Sequence, residues 1–230
     1  MKVRGWQKTS LIDFPDKVAT TLFSGGCNFK CPYCHNKDLV FIDDGNKHID
    51  HEEIMNYLEK RQGLIDGVCI SGGEPTLEKN LISFAKKIKE KNMKVKLDTN
   101  GYNPDVIEEM ISMGLVDYIA MDVKNSFDRY AETSGLKEMD LSKIQRSIEL
   151  IKNCGVDHEF RTTVVKEFHN DEDIEKIGTI IEGANNFYIQ RYDGRSDQIK
   201  GGYKAHSKEE LANFKKIASK YIKNVKIRGA

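Results

Sequence analysis

The stretch SGGCNFKCPYCHN (residues 24–36) places three cysteines within eight residues, with a different gap on each side. Cys27 and Cys31 are four positions apart, whereas Cys31 and Cys34 are three apart. Thiolates bind soft or borderline metals, and no fourth cysteine lies nearby to complete the set. The stretch therefore predicts a metal site that leaves one coordination position open.

Two metal centres are compatible with three crowded thiolates. Structural zinc takes four protein ligands, so zinc would have to recruit His35, His48 or His51. A four-iron cluster normally takes four cysteines, and with three it keeps one iron free to bind a substrate. The spacing favours the iron–sulfur cluster over zinc, and both over cysteines that are close by chance.

Composition and charge limit the other function classes. The chain has 230 residues, enough for one large α/β domain, and Lys+Arg equals Asp+Glu at 36 each. A formal net charge of zero gives no global reason to expect a nucleic acid or an anionic membrane as partner. No stretch approaches ~18 consecutive apolar residues. The five cysteines, an odd number, fit a reducing compartment, so we expect a cytoplasmic protein.

Short apolar runs alternate with amphipathic helical patterns along the chain. The predicted strands, rich in β-branched and aromatic residues, cover residues 17–25, 66–72, 94–100, 117–124, 157–165, 186–192 and 224–229. The unit of strand and helix occurs about six times without a linker, which predicts a single domain over residues 1–230. Strict alternation fits an open doubly wound sheet or a parallel barrel. Six units favour a partial barrel, because a complete one typically needs ~250 residues.

Helix ends are also readable in the sequence. Asp50 with Glu53, and Ser207 with Glu210, form capping-box patterns, and Asn170 is a further N-cap. Glycines that can end helices stand at Gly114 and Gly155.

The unusual polar residues follow the predicted strands. Cys27 comes directly after the first strand, SGGEP (71–75) ends the second, DTNG (98–101) ends the third and DVK (122–124) ends the fourth. In parallel α/β folds, ligands bind at the carboxyl ends of the strands. We therefore expect one edge of the sheet to carry the chemistry.

Two of these motifs together resemble a known superfamily. Cys27-x3-Cys31-x2-Cys34, with Tyr33 before the last cysteine, is similar to the signature of the radical S-adenosylmethionine (radical SAM) enzymes. GGEP at residues 72–75 resembles their second motif. The resemblance covers essentially the whole chain and implies an α/β fold of the partial (β/α)6 TIM-like barrel type.

Longer stretches narrow the resemblance. GWQKTSLIDFPDKVATTLF (5–23), LDTNG (97–101) and MDVK (121–124) are similar to the activating enzymes of glycyl-radical enzymes, and most of all to anaerobic ribonucleoside-triphosphate reductase activating proteins. This implies an oxygen-sensitive oxidoreductase whose partners are a glycyl-radical enzyme and a flavodoxin- or ferredoxin-type electron donor. A relative of 7-carboxy-7-deazaguanine synthase, acting on a small molecule, is the alternative. An electron carrier or metal-stabilised binding module would leave Glu74 unexplained.

The resemblance also implies roles for individual residues. The three cysteines would hold a [4Fe–4S] cluster whose open iron binds the amino and carboxylate groups of S-adenosylmethionine. Residues implied to contact that cosubstrate, or a monovalent cation beside it, are Tyr33, Gly72, Gly73, Glu74, Asp98, Asp122, Lys124 and Arg161. The simpler alternatives are a core aromatic at Tyr33, a solvated glutamate at Glu74, an Asp–Lys ion pair and an exposed arginine at Arg161.

The remaining candidates are less specific. Cys69 and Cys154 are expected to be small core residues. His35 follows the last cysteine, as in the activating enzymes. It is expected either to support the residues that hold the cofactor or only to be a polar residue of a helix. The sequence departs from the family at IQRYDGR (189–195), where Arg191 and Asp193 replace a proline and a histidine. This departure puts the expected cosubstrate contacts of the sixth strand in doubt.

Overall fold

A computed structural model describes residues 1–42, 48–194 and 198–229. The strands are β1 (Val3–Ser10), β2 (Ala19–Ser24), β3 (Gly67–Gly72), β4 (Lys94–Thr99), β5 (Tyr118–Asp122), β6 (Asp157–Val164), β7 (Asn186–Arg191) and β8 (Asn224–Arg228). The helices are α1 (Lys37–Val40), α2 (His51–Lys60), α3 (Leu81–Lys89), α4 (Pro104–Ser112), α5 (Tyr130–Ser134), α6 (Leu141–Asn153), α7 (Asp171–Ile180) and α8 (Lys208–Ala218). Two short 3₁₀ helices cover Pro75–Leu77 and Phe127–Arg129.

The strands follow one another in sequence order, from β1 to β8, in an eight-stranded sheet. The seven predicted strands are all present. The prediction missed β1, which pairs with β2 in the antiparallel direction. Most of β1 is partly or fully exposed, so it lacks the continuous apolar run that marks the buried parallel strands.

The chain divides into two compact units. The first unit comprises Met1–Asn28, Asp38–Thr99 and Asp105–Ile119, and the second comprises Phe29–Lys37, Asn100–Pro104 and Ala120–Ala230. The first unit contains β1 to β4, and its β2–β3 and β3–β4 pairs are parallel. The second contains β6 to β8, also paired in parallel.

Each unit has its own apolar core because each helix buries one face. In the first unit, α2 buries Ile54 and Leu58, and α3 buries Phe84 and Ile88. In the second unit, α6, α7 and α8 each bury one apolar face in the core. The buried residues are Ile144, Ile148, Ile151, Ile174, Ile177, Leu211 and Phe214. Burial of each such side chain contributes about 1.5–3 kcal/mol.

The helix ends agree with the sequence pattern with one difference. Ser207 and Asn170 form capping boxes, and Gly114 and Gly155 adopt positive φ, as expected. At α2, however, the Asp50 carboxylate accepts from the backbone N–H of Glu52 rather than forming the predicted box with Glu53. Among the described residues, no helix has the length and apolar character needed to cross a membrane.

Candidate active site

The loop that contains Cys27 and the GGEP loop (residues 72–75) are joined by backbone hydrogen bonds in the first unit. β2 and β3 end level with each other, since Ser24 pairs with Gly72 in the parallel register. Beyond the strands, Gly73 N donates to Ser24 O at 3.0 Å and Glu74 N donates to Gly26 O at 2.7 Å. The two motifs that are separate in the sequence therefore form one structure at the carboxyl ends of β2 and β3.

The two glycines of the second motif are required by this close approach. Gly72 has φ +124°, and a Cβ there would lie 2.3 Å from Ser24 N. A Cβ on Gly73 would lie 2.1 Å from Gly26 O. Since real Cβ atoms do not approach backbone this closely, a side chain at either position would separate the two loops.

Glu74 is fully buried, so the alternative of a solvated glutamate is wrong. Its Oε1 accepts from Thr76 N at 3.1 Å, from Thr76 Oγ1 at 2.6 Å and from Thr99 Oγ1 at 2.8 Å. The carboxylate thereby caps the 3₁₀ helix Pro75–Leu77 and fixes the end of β4. Thr76 was not recognised from the sequence, although a threonine two residues after an N-cap glutamate could have indicated it.

Asp98 lies near the end of β4 and is held by two side chains of the same unit. It accepts from Ser71 Oγ at 3.0 Å, and its other carboxylate oxygen contacts the ammonium of Lys96. Neither partner was predicted from the sequence. The available signal in the sequence was Lys96 itself, a lysine within the apolar run KVKLDT. In the structure its side chain is only 3% exposed.

In the second unit, Asp122 lies at the end of β5 between two cations. Its carboxylate accepts from Arg161 Nε at 2.8 Å and from Lys124 Nζ at 3.0 Å. Partial burial disfavours the ionised form, but the charges of Arg161 and Lys124 outweigh it and hold the pKa of Asp122 well below its ordinary value. The Asp–Lys ion pair considered from the sequence is therefore present, and Arg161 is not the exposed arginine of the alternative.

The loop after Lys124 is fixed by a histidine that the sequence analysis did not single out. His169 is 1% exposed; its Nδ1 accepts from Val165 N at 3.1 Å and its Nε2 donates to Lys124 O at 2.8 Å. Burial lowers the pKa of His169 to about 4, so the ring is neutral at physiological pH.

The three cysteines of the motif carry free thiols. Cys27 is half-buried and lies in the first unit. Cys31 and Cys34, in the second unit, are joined by a hydrogen bond from Cys34 N to Cys31 O at 2.9 Å. Burial raises the pKa of Cys31 to about 11, and nearby Lys124 opposes this only in part. A bound metal would supply the positive charge that keeps this sulfur deprotonated.

Tyr33, between the last two cysteines, is packed among aromatic side chains of the second unit. It is 4% exposed, and its hydroxyl has no hydrogen-bond partner within the described part of the chain. Its ring lies 5.7 Å from that of Phe168 and 6.4 Å from that of Tyr192. A buried hydroxyl without a partner is costly, and a polar ligand nearby would remove that cost.

Within residues 1–42, 48–194 and 198–229, no group of three or more His, Cys, Asp or Glu side chains is arranged to hold a metal ion. The donor set itself, three free thiols with cysteine spacing of the four-iron type, fits an iron–sulfur cluster. The assignment of the three ligands therefore rests on spacing and chemistry, and stays a prediction.

The remaining candidates differ in their surroundings. Cys69 is fully buried in β3, as expected of a core residue, whereas Cys154 is half-buried at the end of α6. The ring of His35 lies 5.7 Å from that of Tyr192, and burial lowers its pKa while Asp193 opposes that effect. Arg191 donates to His206 O at 3.5 Å.

Comparison with known proteins agrees with this description. Residues 21–179 match the radical SAM superfamily. The chain is 40% identical over 232 residues to a protein of Methanocaldococcus jannaschii named as a candidate glycyl-radical enzyme activating enzyme, covering 98% of this chain and 95% of that protein. It is 29% identical over 192 residues to the pyruvate formate-lyase-activating enzyme of Clostridium pasteurianum, covering 80% of this chain and 78% of that enzyme.

A solved structure shows the same fold. SuiB of Streptococcus suis, determined with bound S-adenosylmethionine, superposes with a TM-score of 0.71 at 15% identity, covering 90% of this chain and 49% of SuiB. This likeness confirms the predicted α/β fold of the partial (β/α)6 barrel type.

The chain belongs to the radical SAM superfamily. It is a radical SAM enzyme, and membership of this superfamily implies a [4Fe–4S] cluster and S-adenosylmethionine.

Proposed function

We propose that this enzyme activates a glycyl-radical enzyme by generating a radical on one glycine of that partner. The observation that carries the proposal is the hydrogen-bonded junction of the Cys27 loop with the GGEP loop, through Gly73 N and Glu74 N. The junction holds the loop of the first cysteine beside the loop predicted to bind the cosubstrate. The activating-enzyme names of the relatives support the choice of substrate.

The reduced cluster, when bound, would supply the electron for reductive cleavage of S-adenosylmethionine, and the cosubstrate would in turn be the acceptor of the hydrogen atom from the glycine Cα. The residues of this chain would bind the cluster and the cosubstrate and set their orientation. Cys27, Cys31 and Cys34 hold the cluster, and Tyr33 lies against the bound cofactors. The backbone of Gly72 and Gly73, together with Glu74, would contact the methionine ammonium.

Arg161 and Lys124 receive the anionic end of the cosubstrate in this proposal. Both cations already converge on Asp122, which fixes their positions before any ligand binds. Asp122 balances part of the charge of each, and a planar guanidinium matches the geometry of a carboxylate. The enzyme takes no monovalent cation in this proposal, because Asp98 and Asp122 both contact cationic side chains of this chain.

The finer identity of the partners is also proposed. Anaerobic ribonucleoside-triphosphate reductase is the glycyl-radical enzyme, and a flavodoxin- or ferredoxin-type protein donates the electron. No nucleic acid or membrane takes part. The five free thiols support a reducing, cytoplasmic setting.

Anaerobic reconstitution with iron and sulfide, followed by EPR, tests the proposal. The reduced enzyme, S-adenosylmethionine and purified anaerobic ribonucleotide reductase should produce a glycyl-radical doublet. A partner whose radical glycine is replaced by alanine is the matched control and should give none. Pyruvate formate-lyase, used in parallel, tests the partner. Cleavage of S-adenosylmethionine without a doublet on either partner would overturn the activating function and favour the small-molecule alternative.

A further inference from the structure

β4 carries a buried lysine that the proposed chemistry does not use. Lys96 lies between Val95 and Leu97, both fully buried, and its own side chain is 3% exposed. In the parallel register it stands opposite Cys69 of β3, and its ammonium is 3.8 Å from the Cys69 sulfur. Its ammonium also contacts the carboxylate of Asp98.

A buried ammonium is stable only with an anionic partner. Asp98 is that partner, and Ser71 fixes the second carboxylate oxygen at 3.0 Å. The lysine side chain is almost fully enclosed, so the ion pair is held by packing as well as by charge. Asp98 therefore carries its counter-charge inside the first unit.

This arrangement does not fit the monovalent cation implied for the site. A sodium or potassium ion on the Asp98 carboxylate would have to lie beside the Lys96 ammonium, and like charges at that separation repel. Asp122, in the second unit, contacts the cationic side chains of Lys124 and Arg161. Neither aspartate needs an ion from solution to balance its charge.

We infer that Lys96 is a built-in cation: its ammonium takes the place at Asp98 that a bound monovalent cation would otherwise occupy, and the enzyme works without sodium or potassium. Lys96 is a positioning residue, since it acts on the site through Asp98. The inference depends on the proposed function only for the role of Asp98, and the ion pair can be tested without the cluster.

The test measures thermal unfolding of the cluster-free protein, under anaerobic conditions, in potassium chloride, sodium chloride or choline chloride at equal ionic strength. The wild-type Tm should be the same in all three salts. Lys96→Met leaves the partly buried Asp98 carboxylate without its cation and should lower the Tm in choline by roughly 10 °C. Potassium or sodium should recover part of that loss by binding to Asp98.

Lys94→Met is the matched control. Lys94 lies two residues earlier on the same strand and pairs with Asp117 at 2.9 Å, but its side chain is 54% exposed. The same substitution there should change the Tm little and in a salt-independent way. Lys96→Arg, which keeps the charge, should restore salt independence even where packing lowers the Tm.

Thallium NMR gives a second readout that does not depend on the variant folding. Wild-type protein should show no saturable binding of Tl⁺, used as a probe for potassium. Saturable Tl⁺ binding to the wild type, or a wild-type Tm that rises in potassium, would overturn the inference. So would a folded Lys96→Met protein with the same Tm in all three salts. None of these outcomes bears on whether the loaded enzyme forms a glycyl radical.

Discussion

The Nε of Arg161 donates to Oδ1 of Asp122 at 2.8 Å, joining the middle of β6 to the end of β5. Nearby, Val123 N donates to Arg161 O, so backbone and side chain both fix the arginine. A guanidinium held this way has its orientation set before a ligand arrives, which lowers the entropy lost on binding.

Arg161→Gln should weaken binding of S-adenosylmethionine roughly 10- to 100-fold, because a hydrogen bond between charged groups contributes about 1.5–3 kcal/mol. Equilibrium binding to the reconstituted enzyme measures the effect, and iron content should not change. Arg129→Gln is the control, since Arg129 pairs with Asp173 elsewhere in the second unit. Equal weakening in both variants would show that Arg161 acts only through stability.

Cys31→Ser should lose the cluster, and with it cleavage of S-adenosylmethionine. Wild-type protein should hold about four irons per chain after reconstitution. Cys69→Ser is the matched substitution at a fully buried cysteine outside the motif, and it should keep the iron. Iron analysis together with visible absorbance distinguishes the two. A Cys31→Ser protein with a full complement of iron would contradict the ligand assignment.

Glu74→Ala should lower the free energy of unfolding by about 2–4 kcal/mol, since it removes an N-cap and leaves the donors of Thr76 and Thr99 without their acceptor. Glu74→Gln keeps an oxygen acceptor and should lose less. Urea unfolding measures both, with Glu78→Ala as a control at a more exposed glutamate that accepts from Lys2 N. If alanine and glutamine cost the same, the hydrogen bonds of Oε1 do not hold the loop.

His169 should make the enzyme less stable in acid. Burial lowers its pKa from about 6.5 to about 4, so the unfolded chain binds a proton at pH 5 that the folded chain excludes. Its stabilising contribution is complete above pH 6.5 and is lost as the pH falls towards 4. Between pH 7 and pH 5 this amounts to about 2 kcal/mol.

Urea unfolding at several pH values checks the effect of His169. His169→Gln should flatten the pH dependence over this range, whereas His48→Gln, at an exposed histidine, should leave it unchanged. The same slope in all three proteins would assign the acid sensitivity to other groups. His206, whose pKa is also lowered by burial, would be the next to test.

Much of the fold follows from local pattern. The parallel strands are short apolar runs because both of their faces are buried, and each was predicted to within about three residues at its ends. β1 escaped prediction because an antiparallel strand at the edge buries little, so VRGWQKTS has no apolar period. At α2 the N-cap residue was predicted correctly, but its hydrogen-bond partner was not. The short Asp50 side chain bonds the N–H of Glu52 instead of forming the predicted box with Glu53.

The sequence by itself determined the superfamily, the cysteine motif and the GGEP loop, because these depend on residue type and spacing along the chain. Only the tertiary structure showed that Gly72 and Gly73 must both be free of side chains, that Glu74 is a buried cap, and that Lys96 neutralises Asp98. Each of these facts is a contact between neighbouring strands or their loops. Such contacts are set by strand register and packing, which no local pattern in the sequence encodes.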